Sequence, residues 1–150
     1  MKFSIITVVK NNKSQISKTI KSIKKQRYKN FELIIIDGKS NDGTSEIIKE
    51  RKKKFKKLKH LIRKDKNLYD GLNYGIKISN GKYIIILHSG DTFFSKNTLG
   101  IINKNLLEYD AISGNVFFLN NGKVLRYWNY NIEHLNKFNA FKIAHTALIV

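Results

Sequence analysis

The side chains best suited to chemistry in this chain are its six aspartates, because acidic residues are scarce and their positions carry information. Asp37 and Asp91 lie just past two apolar runs that are typical of buried strands. Asp42 follows in the same turn-forming segment as Asp37, and Asp65 and Asp70 flank the start of a helical pattern. In an open parallel sheet, ligands bind outside the carboxyl ends of the strands, so we expect a binding site at that edge. The end of the first strand adds three polar residues there, Thr7, Lys10 and Asn11.

Each of these aspartates also has a purely structural interpretation. Loop aspartates usually serve turns and helix caps, so this interpretation is favoured for Asp42, whereas turn and function weigh equally for Asp37. Function is favoured for Asp91, because His88-Ser89-Gly90-Asp91 brings an imidazole and a carboxylate, both metal ligands, to one strand end. The other histidines are predicted to lie on the surface (His60 and His134) or in the core (His145).

Several catalytic motifs are missing from the sequence. It contains no Gly-x-Gly-x-x-Gly after the first strand, no Gly-x-x-x-x-Gly-Lys-Ser/Thr phosphate loop, no His-Glu-x-x-His and no Gly-x-Ser-x-Gly. These absences argue against dinucleotide enzymes, P-loop enzymes and serine hydrolases. A site built from carboxylates, without a glycine-rich phosphate loop, would hold phosphates through a divalent cation, with lysine side chains assisting.

The composition describes one globular domain of 150 residues without cysteine or proline. The lack of cysteine excludes disulfides and thiolate metal sites, and the first apolar run is too short for a secretory signal, so a cytoplasmic location is expected. No apolar run approaches the roughly 18 residues needed to cross a bilayer. The net charge of +18 attracts phosphates on nucleic acid, lipid or nucleotides. A general enrichment in lysine is favoured over a specific polyanionic partner, because charge runs are usually solvated faces.

Apolar periodicity predicts alternating strands and helices. Near-continuous apolar runs predict four strands, at Phe3–Val9, Phe31–Ile36, Leu58–Ile62 and Tyr83–Leu87. Amphipathic spacing predicts four helices, over Gln15–Gln26 with Ser14 as its cap, from Ser45 onward, over Leu68–Ser79, and over Ser95–Leu107. The first helix has an apolar stripe of Ile16, Ile20 and Ile23, and the third has Leu72, Ile76 and Tyr69 on one face. This order is typical of a mostly parallel sheet with helices on both faces, so the predicted fold class is α/β.

The pattern changes beyond Asp110. Val116–Leu119 and Val124–Trp128 flank Asn121-Gly122, whose residues tolerate positive φ and favour a two-residue hairpin turn, so the sheet is expected to become mixed here. The lysine-rich segment Lys49–Lys59 has only Phe55 and Leu58 as apolar residues. We expect it to be an exposed helix end and connector.

Three segments carry a wider resemblance. They are Ile5-Ile6-Thr7-Val8-Val9-Lys10-Asn11, Ile34-Ile35-Ile36-Asp37-Gly38-Lys39-Ser40-Asn41-Asp42-Gly43-Thr44, and Asp65-Lys66-Asn67-Leu68-Tyr69-Asp70-Gly71-Leu72-Asn73-Tyr74-Gly75 continuing to Leu87-His88-Ser89-Gly90-Asp91. Their order and spacing resemble family 2 glycosyltransferases of the GT-A fold, of the type that builds bacterial surface polysaccharides. The resemblance implies a single nucleotide-sugar-binding domain over residues 1–150 that lacks part of the acceptor-binding region.

The resemblance also implies a reaction and a site. A nucleotide-diphospho-sugar would donate its sugar to a glycan or lipid-linked glycan acceptor, with inversion. Asp91, with His88 as a second candidate ligand, would hold Mn²⁺ or Mg²⁺, whose charge offsets the negative charge on the leaving diphosphate. The implied donor-binding residues are Thr7, Val9, Lys10, Asn11, Asp37, Lys66, Tyr69, Asp70, Asn73, Ser89 and Gly90.

The sequence departs from the family pattern at several positions. His88 stands where the metal element usually begins with an aspartate, Gly38 where a second aspartate is common, and Lys10 where an aromatic residue is common. The catalytic base is not identified, since Asp110, Glu108 and Glu133 are poor candidates. His145-Thr146 resembles a histidine-containing element of the family, which makes His145 a candidate catalytic residue.

Two other functions stay open at this point. One is a basic nucleic-acid-binding module, which is disfavoured because no such motif is found and because its aromatic residues Phe31, Tyr83, Phe117 and Phe118 fall on strands predicted to be buried. The other is an inactive remnant that binds the donor. The apolar end Ala147–Val150 favours a fragment of a longer enzyme over such a shortened protein. Lys49–Lys59 is a candidate for peripheral contact with the inner face of the cytoplasmic membrane.

Overall fold

The computed structural model describes residues 1–106, 111–128 and 147–150. Up to residue 105 the chain alternates strands and helices, and four further strands follow within the described ranges. In chain order the elements are β1 (Phe3–Val9), α1 (Lys13–Lys24), β2 (Phe31–Asp37), α2 (Thr44–Lys53), β3 (Leu58–Ile62), α3 (Leu68–Lys77), β4 (Tyr83–Ile86), α4 (Thr98–Asn105), β5 (Ile112–Ser113), β6 (Val116–Asn120), β7 (Lys123–Trp128) and β8 (Leu148–Ile149).

Six of these strands form one sheet in the order β3-β2-β1-β4-β8-β5. β1 pairs in parallel with β2, which places Val9 beside Asp37, and in parallel with β4, which places Phe3 beside Tyr83. β3 extends the parallel part beyond β2. β8 pairs with β4, and β5 with β8, in antiparallel fashion, so the sheet is mixed. The predicted α/β class is confirmed.

One face of the sheet carries most of the apolar core. Phe3, Ile5, Leu33 and Ile35 point to this face and pack against the helices that cover it, with Ile16, Ile20 and Ile23 from α1, Ile48 from α2 and Leu99 from α4. Burying each such side chain stabilises the fold by about 1.5–3 kcal/mol relative to leaving it in water. The predicted isoleucine stripe of α1 is therefore confirmed.

Helix α3 covers the opposite face, and it does so mainly through glycine. A Cβ at Gly75 would lie 2.6 Å from Ile6 Cγ2, and a Cβ at Gly71 would lie 3.0 Å from Val8 Cγ1. The helix backbone therefore lies almost directly on β1. Leu72 is buried as predicted, but Ile76 is 43% exposed and Tyr69 is 72% exposed. The prediction that Ile76 and Tyr69 lie on an apolar face is therefore wrong. The helix contacts the sheet through two glycines, and these carry no side chain that an apolar pattern could show.

Three helices begin at different residues from those predicted, and α2 differs by only one residue, since it begins at Thr44. α1 begins at Lys13, so Ser14 lies inside the first turn, and no side chain caps the helix from its N-cap position. The Lys13 N–H donates instead to the Asp42 carboxylate (3.0 Å). α4 begins at Thr98, because Ser95 forms a local turn in which its carbonyl accepts from the Thr98 hydroxyl (2.9 Å). Such local hydrogen bonds compete with the backbone hydrogen bonds of a helix, so α4 begins at a later residue than predicted.

The predicted hairpin is present, with Asn121 at φ 48° and Gly122 at φ 79°. It forms a separate two-stranded sheet of β6 and β7, and the main sheet becomes mixed through β8 and β5. Phe117 and Phe118 are each 41% exposed. The prediction that they are buried is wrong, because an isolated hairpin offers each of its faces to solvent unless another layer covers it.

A buried acid lies at the amino ends of the strands, far from the predicted site. The Glu32 carboxylate accepts from the Ser4 hydroxyl (2.7 Å) and from the Asn80 N–H (2.7 Å), and it pairs with Lys59 (2.7 Å). Burial raises its pKa, but the bonds from Lys59, Ser4 and Asn80 outweigh burial and leave that pKa below its ordinary value. This cluster ties β1, β2 and β3 together, so burial alone does not mark a functional acid.

Candidate functional site

The topology defines where a ligand would enter. From β1 the chain proceeds outward through β2 to β3, and it then returns to place β4 on the other side of β1. The strand order therefore reverses between β1 and β4, and in open α/β sheets the crevice beyond the carboxyl ends at such a point is the binding site. Residues 10–12 and 88–91 border this crevice, while residues 38–43 and 63–70 lie along the same edge.

Asp37, the last residue of β2, is completely buried. Its carboxylate accepts from the Ser40 N–H (2.8 Å) and from the Ser45 hydroxyl, and it contacts His60 Nε2 at 3.3 Å. Burial raises the pKa of Asp37, but the bonds from Ser45, Ser40 and His60 together outweigh burial and hold the pKa below its ordinary value. The carboxylate is therefore ionised, and it fastens the following loop and β3 to the end of β2.

His60 lies on β3 with only 4% of its side chain exposed. The prediction of a surface histidine is therefore wrong. Burial lowers the pKa of His60, and it outweighs the opposing effect of the Asp37 carboxylate. The neutral ring donates from Nε2 to Asp37. The period of two in strands could have located this residue, because His60 shares a face with Leu58, which is buried.

The loop after β1 is fastened to the loop after β2. Asn11, at φ 51°, donates its N–H to the Ser40 hydroxyl (2.9 Å), and its side-chain carbonyl accepts from the Asn41 N–H (2.9 Å). Asp42 accepts from the Thr44 N–H (3.0 Å), which confirms its structural interpretation as a turn and cap residue. An open groove of about 580 Å³ lies beside this junction and is lined by Asn11, Asn12, Lys13, Ser14, Asp42 and Ile47.

Two predicted donor-binding residues of β1 have buried side chains. Thr7 is completely buried, and its hydroxyl donates to the Leu87 carbonyl (2.8 Å). Val9 is 3% exposed and packs in the apolar core. Their side chains shape the floor beneath the crevice, whereas Lys10, the next residue, is exposed.

Two more carboxylates lie around the start of α3, Asp65 just before the helix and Asp70 in its first turn. Arg63 pairs with Asp65 (2.8 Å) and lies 3.8 Å from Asp70, and its guanidinium covers the Tyr74 ring at 4.1 Å. Burial raises the pKa of Asp65, and this effect outweighs the attraction of Arg63. The Asn67 side chain caps α3 by accepting from the Asp70 N–H (3.0 Å). The remaining predicted residues of this segment are exposed at the edge: Lys66, Tyr69 and Asn73.

The end of β4 is a tight turn that faces solvent. The Asp91 N–H donates to the His88 carbonyl (3.0 Å), and Gly90 adopts φ 110°, which favours glycine. The Gly90 N–H donates to the Thr19 hydroxyl of α1 (2.9 Å). Asp91 is exposed, while the Ser89 hydroxyl is buried without a hydrogen-bond partner among the described residues.

Asn12 was missed by sequence reasoning. Its side-chain amide donates to the Ser89 carbonyl (3.2 Å), and its backbone N–H donates to the Thr44 hydroxyl (3.0 Å). It thus joins the loops that follow β1, β2 and β4. An asparagine just before a helix suggests a cap, but this one contributes no side-chain cap bond, so nothing in the local pattern reveals its role.

The turn after β4 carries side chains that could ligate a cation. No group of three histidine, aspartate or glutamate side chains lies close enough to hold a metal ion within the described ranges. Asp91 and His88 are in one turn, so this turn offers a carboxylate and an imidazole. Mg²⁺ at nucleotide sites is commonly held by one or two carboxylates together with substrate phosphates. Asp91 and His88 therefore fit a divalent cation that is also held by the phosphates of a substrate. The candidates His145, His134, Glu108, Asp110 and Glu133 lie outside the described residues.

A mixed α/β sheet with carboxylates beside its switch point belongs to the class of open α/β domains that bind ligands at this edge. The chain matches the family model described as glycosyl transferase family 2 over residues 4–149, and it therefore belongs to that family. The resemblance found in the sequence is confirmed. Membership in this family argues against the nucleic-acid-binding alternative.

Similar proteins agree with this assignment. The chain is 39% identical over 93 residues to an uncharacterized glycosyltransferase of Rickettsia bellii. The matched region covers 62% of this chain and 13% of that protein. The chain is 25% identical over 130 residues to glycosyltransferase GlyA of Streptococcus pneumoniae, 85% of this chain and 18% of that protein. The chain thus matches less than one fifth of the length of these curated relatives.

Solved structures support the fold. S. aureus TarS 1–349 is similar with a TM-score of 0.68 at 25% identity, over 74% of this chain and 34% of that chain, and its structure in complex with UDP-GlcNAc has the same TM-score. The mannosyltransferase PcManGT of Pyrobaculum calidifontis, in complex with GDP-Man and Mn²⁺, has a TM-score of 0.67 at 19% identity, a likeness that shows the fold alone. The GT-A type of α/β fold is therefore confirmed.

Proposed function

We propose that this chain forms the donor-binding part of a glycosyltransferase, which moves a sugar from a nucleotide-diphospho-sugar to a glycan or lipid-linked glycan in bacterial polysaccharide synthesis. The observation that carries the proposal is the accessible Asp91 carboxylate beside the switch-point crevice of a family 2 domain. The structure of TarS with UDP-GlcNAc supports a donor of this chemical class. In this proposal the donor-binding domain spans residues 1–150.

The donor lies over the carboxyl ends of β1, β2 and β4 in this proposal. The nucleoside rests near Lys10 and Asn11, above the floor formed by Thr7 and Val9, and the α3 segment with Lys66, Tyr69, Asp70 and Asn73 borders it. Asp37 acts indirectly, because its buried carboxylate fixes the loop that bears Ser40. Ser89 and Gly90 lie beside the diphosphate.

Asp91, with His88 as a second ligand, would hold Mn²⁺ or Mg²⁺ together with the phosphate oxygens of the donor. Such a cation, when bound, offsets the negative charge that develops on the departing nucleoside diphosphate. The acceptor hydroxyl attacks the anomeric carbon from the face opposite the diphosphate, so the reaction inverts that carbon. Its proton passes to a base that the described residues do not identify, and His145 remains a candidate for a catalytic role.

Location is part of the same proposal. Among the described residues no helix combines the length and the apolar character required to span a bilayer. We place the protein in the cytoplasm, with peripheral contact to the inner membrane surface.

The test is calorimetric titration with UDP, GDP and TDP, each with Mn²⁺ and with EDTA. Micromolar binding of one nucleotide that requires Mn²⁺ and is at least about tenfold weaker in Asp91→Asn is expected, because the Asp91 carboxylate would help to hold the cation that the diphosphate needs. Glu50→Gln, an exposed change on α2 away from the edge, is the matched control and should bind as the wild type does.

Two results would contradict the proposal. Failure of all three nucleotides to bind to folded protein would remove the donor site. Equal binding by wild type and Asp91→Asn would remove Asp91 from it. Donor binding without release of sugar to any acceptor or to water would instead favour the inactive, donor-binding alternative.

A further inference from the structure

A dense group of basic residues lies at the edge of the sheet opposite the candidate site. Nine exposed lysines and arginines lie in the segments that end α1 and α2 and lead into β2 and β3. We call this group the basic pole; its members are Lys24, Lys25, Arg27, Lys29, Lys52, Lys53, Lys54, Lys56 and Lys57. Neither residues 24–31 nor residues 51–60 contain an aspartate or glutamate.

The fold brings these two segments together. The Lys57 ammonium donates to the Lys29 carbonyl, and the Phe31 and Phe55 rings beneath them are 6.1 Å apart. Both segments enter neighbouring parallel strands from the same end, since Leu33 of β2 is in register with Leu58 of β3. The nine cations therefore share one surface. That surface is separated from the carboxyl ends by the seven residues of β2, about 20 Å of strand.

The fold itself does not neutralise this charge. The ion pairs between described residues use Lys59, His60 and Arg63, and none of them includes a member of the basic pole. Lys24, Lys52 and Lys53 lie in the last turns of their helices, where the helix dipole favours cations. Lys25 and Lys54 directly follow the two helices. The dipole falls off within one turn, so it does not account for Arg27, Lys29, Lys56 and Lys57 farther along the chain.

The aromatic residues of the same segments identify the kind of polyanion that this surface suits. Tyr28 packs edge-on against Phe3 (5.7 Å between ring centres), and Phe31 and Phe55 are buried. Single-stranded nucleic acid is bound by cations combined with exposed rings on which bases stack, and the segments of the basic pole expose no such ring. A polybasic surface without exposed rings is the pattern that binds anionic lipid headgroups.

We propose that the basic pole docks this protein on an anionic lipid bilayer, with the candidate donor site at the far edge, directed away from the lipid. This narrows and shifts the contact predicted over Lys49–Lys59. Lys59 leaves it, because it pairs with the buried Glu32, and the end of α1 joins it. The inference stands apart from the proposed reaction, because it uses no residue of the donor site.

The experiment is co-sedimentation with vesicles of phosphatidylglycerol and phosphatidylcholine, compared with vesicles of phosphatidylcholine alone. The test variant carries Lys25→Gln, Lys53→Gln, Lys54→Gln and Lys56→Gln. The matched control carries Lys13→Gln, Lys39→Gln, Lys64→Gln and Lys123→Gln, and it has the same net charge. Of these four exposed lysines, three lie at the carboxyl-end edge of the sheet and one at the start of β7. Thermal melting followed by circular dichroism shows that each variant is folded.

The wild type should sediment with phosphatidylglycerol vesicles only, and less so as salt screens the charges. The test variant should partition at least about tenfold more weakly, and the control should change by less than about threefold, because only charges near the surface contribute. Equal losses in the two variants would overturn the proposal, since net charge alone would then explain binding. Tighter binding of a single-stranded oligonucleotide than of vesicles at the same salt, lost in the test variant, would overturn it in favour of nucleic acid.

Discussion

Two aspartates lie at the same edge of the sheet, one at the end of β2 and one just after β4, and their surroundings differ completely. Asp37 is buried at the end of β2 and engages Ser40, Ser45 and His60. Asp91 follows β4 in an exposed turn. Both match the same rule for finding a site, an acid just past a buried strand. The difference teaches that the fold can use such a carboxylate for its own stability or leave it accessible to a ligand.

The local chain explains which outcome occurs. The loop after β2 turns back over Asp37, because Ser40 and Ser45 both bond to its carboxylate, and β3 adds His60 from the side. After β4, Gly90 with its positive φ reverses the chain within one turn, and Asp91 emerges at the surface. An ionised buried carboxylate needs several protein donors, whereas water also reaches an exposed one.

The largest effect should come from Asp37→Asn. The amide keeps the shape of the side chain but loses the charge and one acceptor, so Ser45, the Ser40 N–H and His60 are left incompletely bonded in a buried place. We expect a loss of about 2–4 kcal/mol in the free energy of unfolding, measured by urea denaturation. A loss below about 0.5 kcal/mol would show that the cluster is not a structural one.

Asp91→Asn should reduce nucleotide affinity and leave stability unchanged, the opposite of Asp37→Asn. Its free energy of unfolding should stay within about 0.5 kcal/mol of the wild type, because the change is at an exposed turn. Its Mn²⁺-dependent nucleotide affinity should fall at least about tenfold, which corresponds to about 1.4 kcal/mol. Urea denaturation and calorimetry on the same preparation check both parts. A stability loss as large as that of Asp37→Asn would erase the distinction between the two strand ends.

The parts of the fold that depend on local periodicity could be predicted from sequence. The bounds of β1 and β3 were correct, and so was the isoleucine stripe of α1, because a continuous apolar run and a helical repeat each fix their own element. The hairpin at Asn121-Gly122 was also predicted, since its turn needs residues that tolerate positive φ. Where that hairpin lies was not predictable, because no local signal says whether two strands join a larger sheet.

The site was predictable in position but not in detail. Sequence reasoning placed Asp37 and Asp91 at strand ends on one edge, which the structure confirms. The burial of Asp37 depends on Ser45, eight residues later, and on His60, which reaches it only because β3 pairs beside β2. Contacts between distant residues are set by the assembled sheet. The binding roles assigned to the edge residues remain predictions.

Thr7→Val should have a smaller effect and tests what holds the end of β4 in place. The Thr7 hydroxyl donates to the Leu87 carbonyl, one residue before His88. Valine has nearly the same shape but cannot donate, so the buried carbonyl loses its partner, and we expect a loss of about 1–2 kcal/mol in urea denaturation. Nucleotide affinity should change less than about threefold. A larger fall in affinity at unchanged stability would mean that this hydroxyl contacts the donor.

The smallest effect concerns pH and returns to the Asp37 cluster. Burial lowers the pKa of His60 below its ordinary value of 6.5, so the unfolded chain takes up this proton at a higher pH than the folded one. The contribution of His60 is therefore complete above pH 6.5 and is lost as the pH falls through the folded pKa. Asp37, whose pKa is lowered from 3.8, keeps its own contribution over this range and loses it only in stronger acid. Urea midpoints at about pH 7.5 and about pH 5.5 should therefore differ more in the wild type than in His60→Gln. Equal differences in the two proteins would show that the titrating group is not His60. They would also show that His60 does not help to stabilise the Asp37 carboxylate.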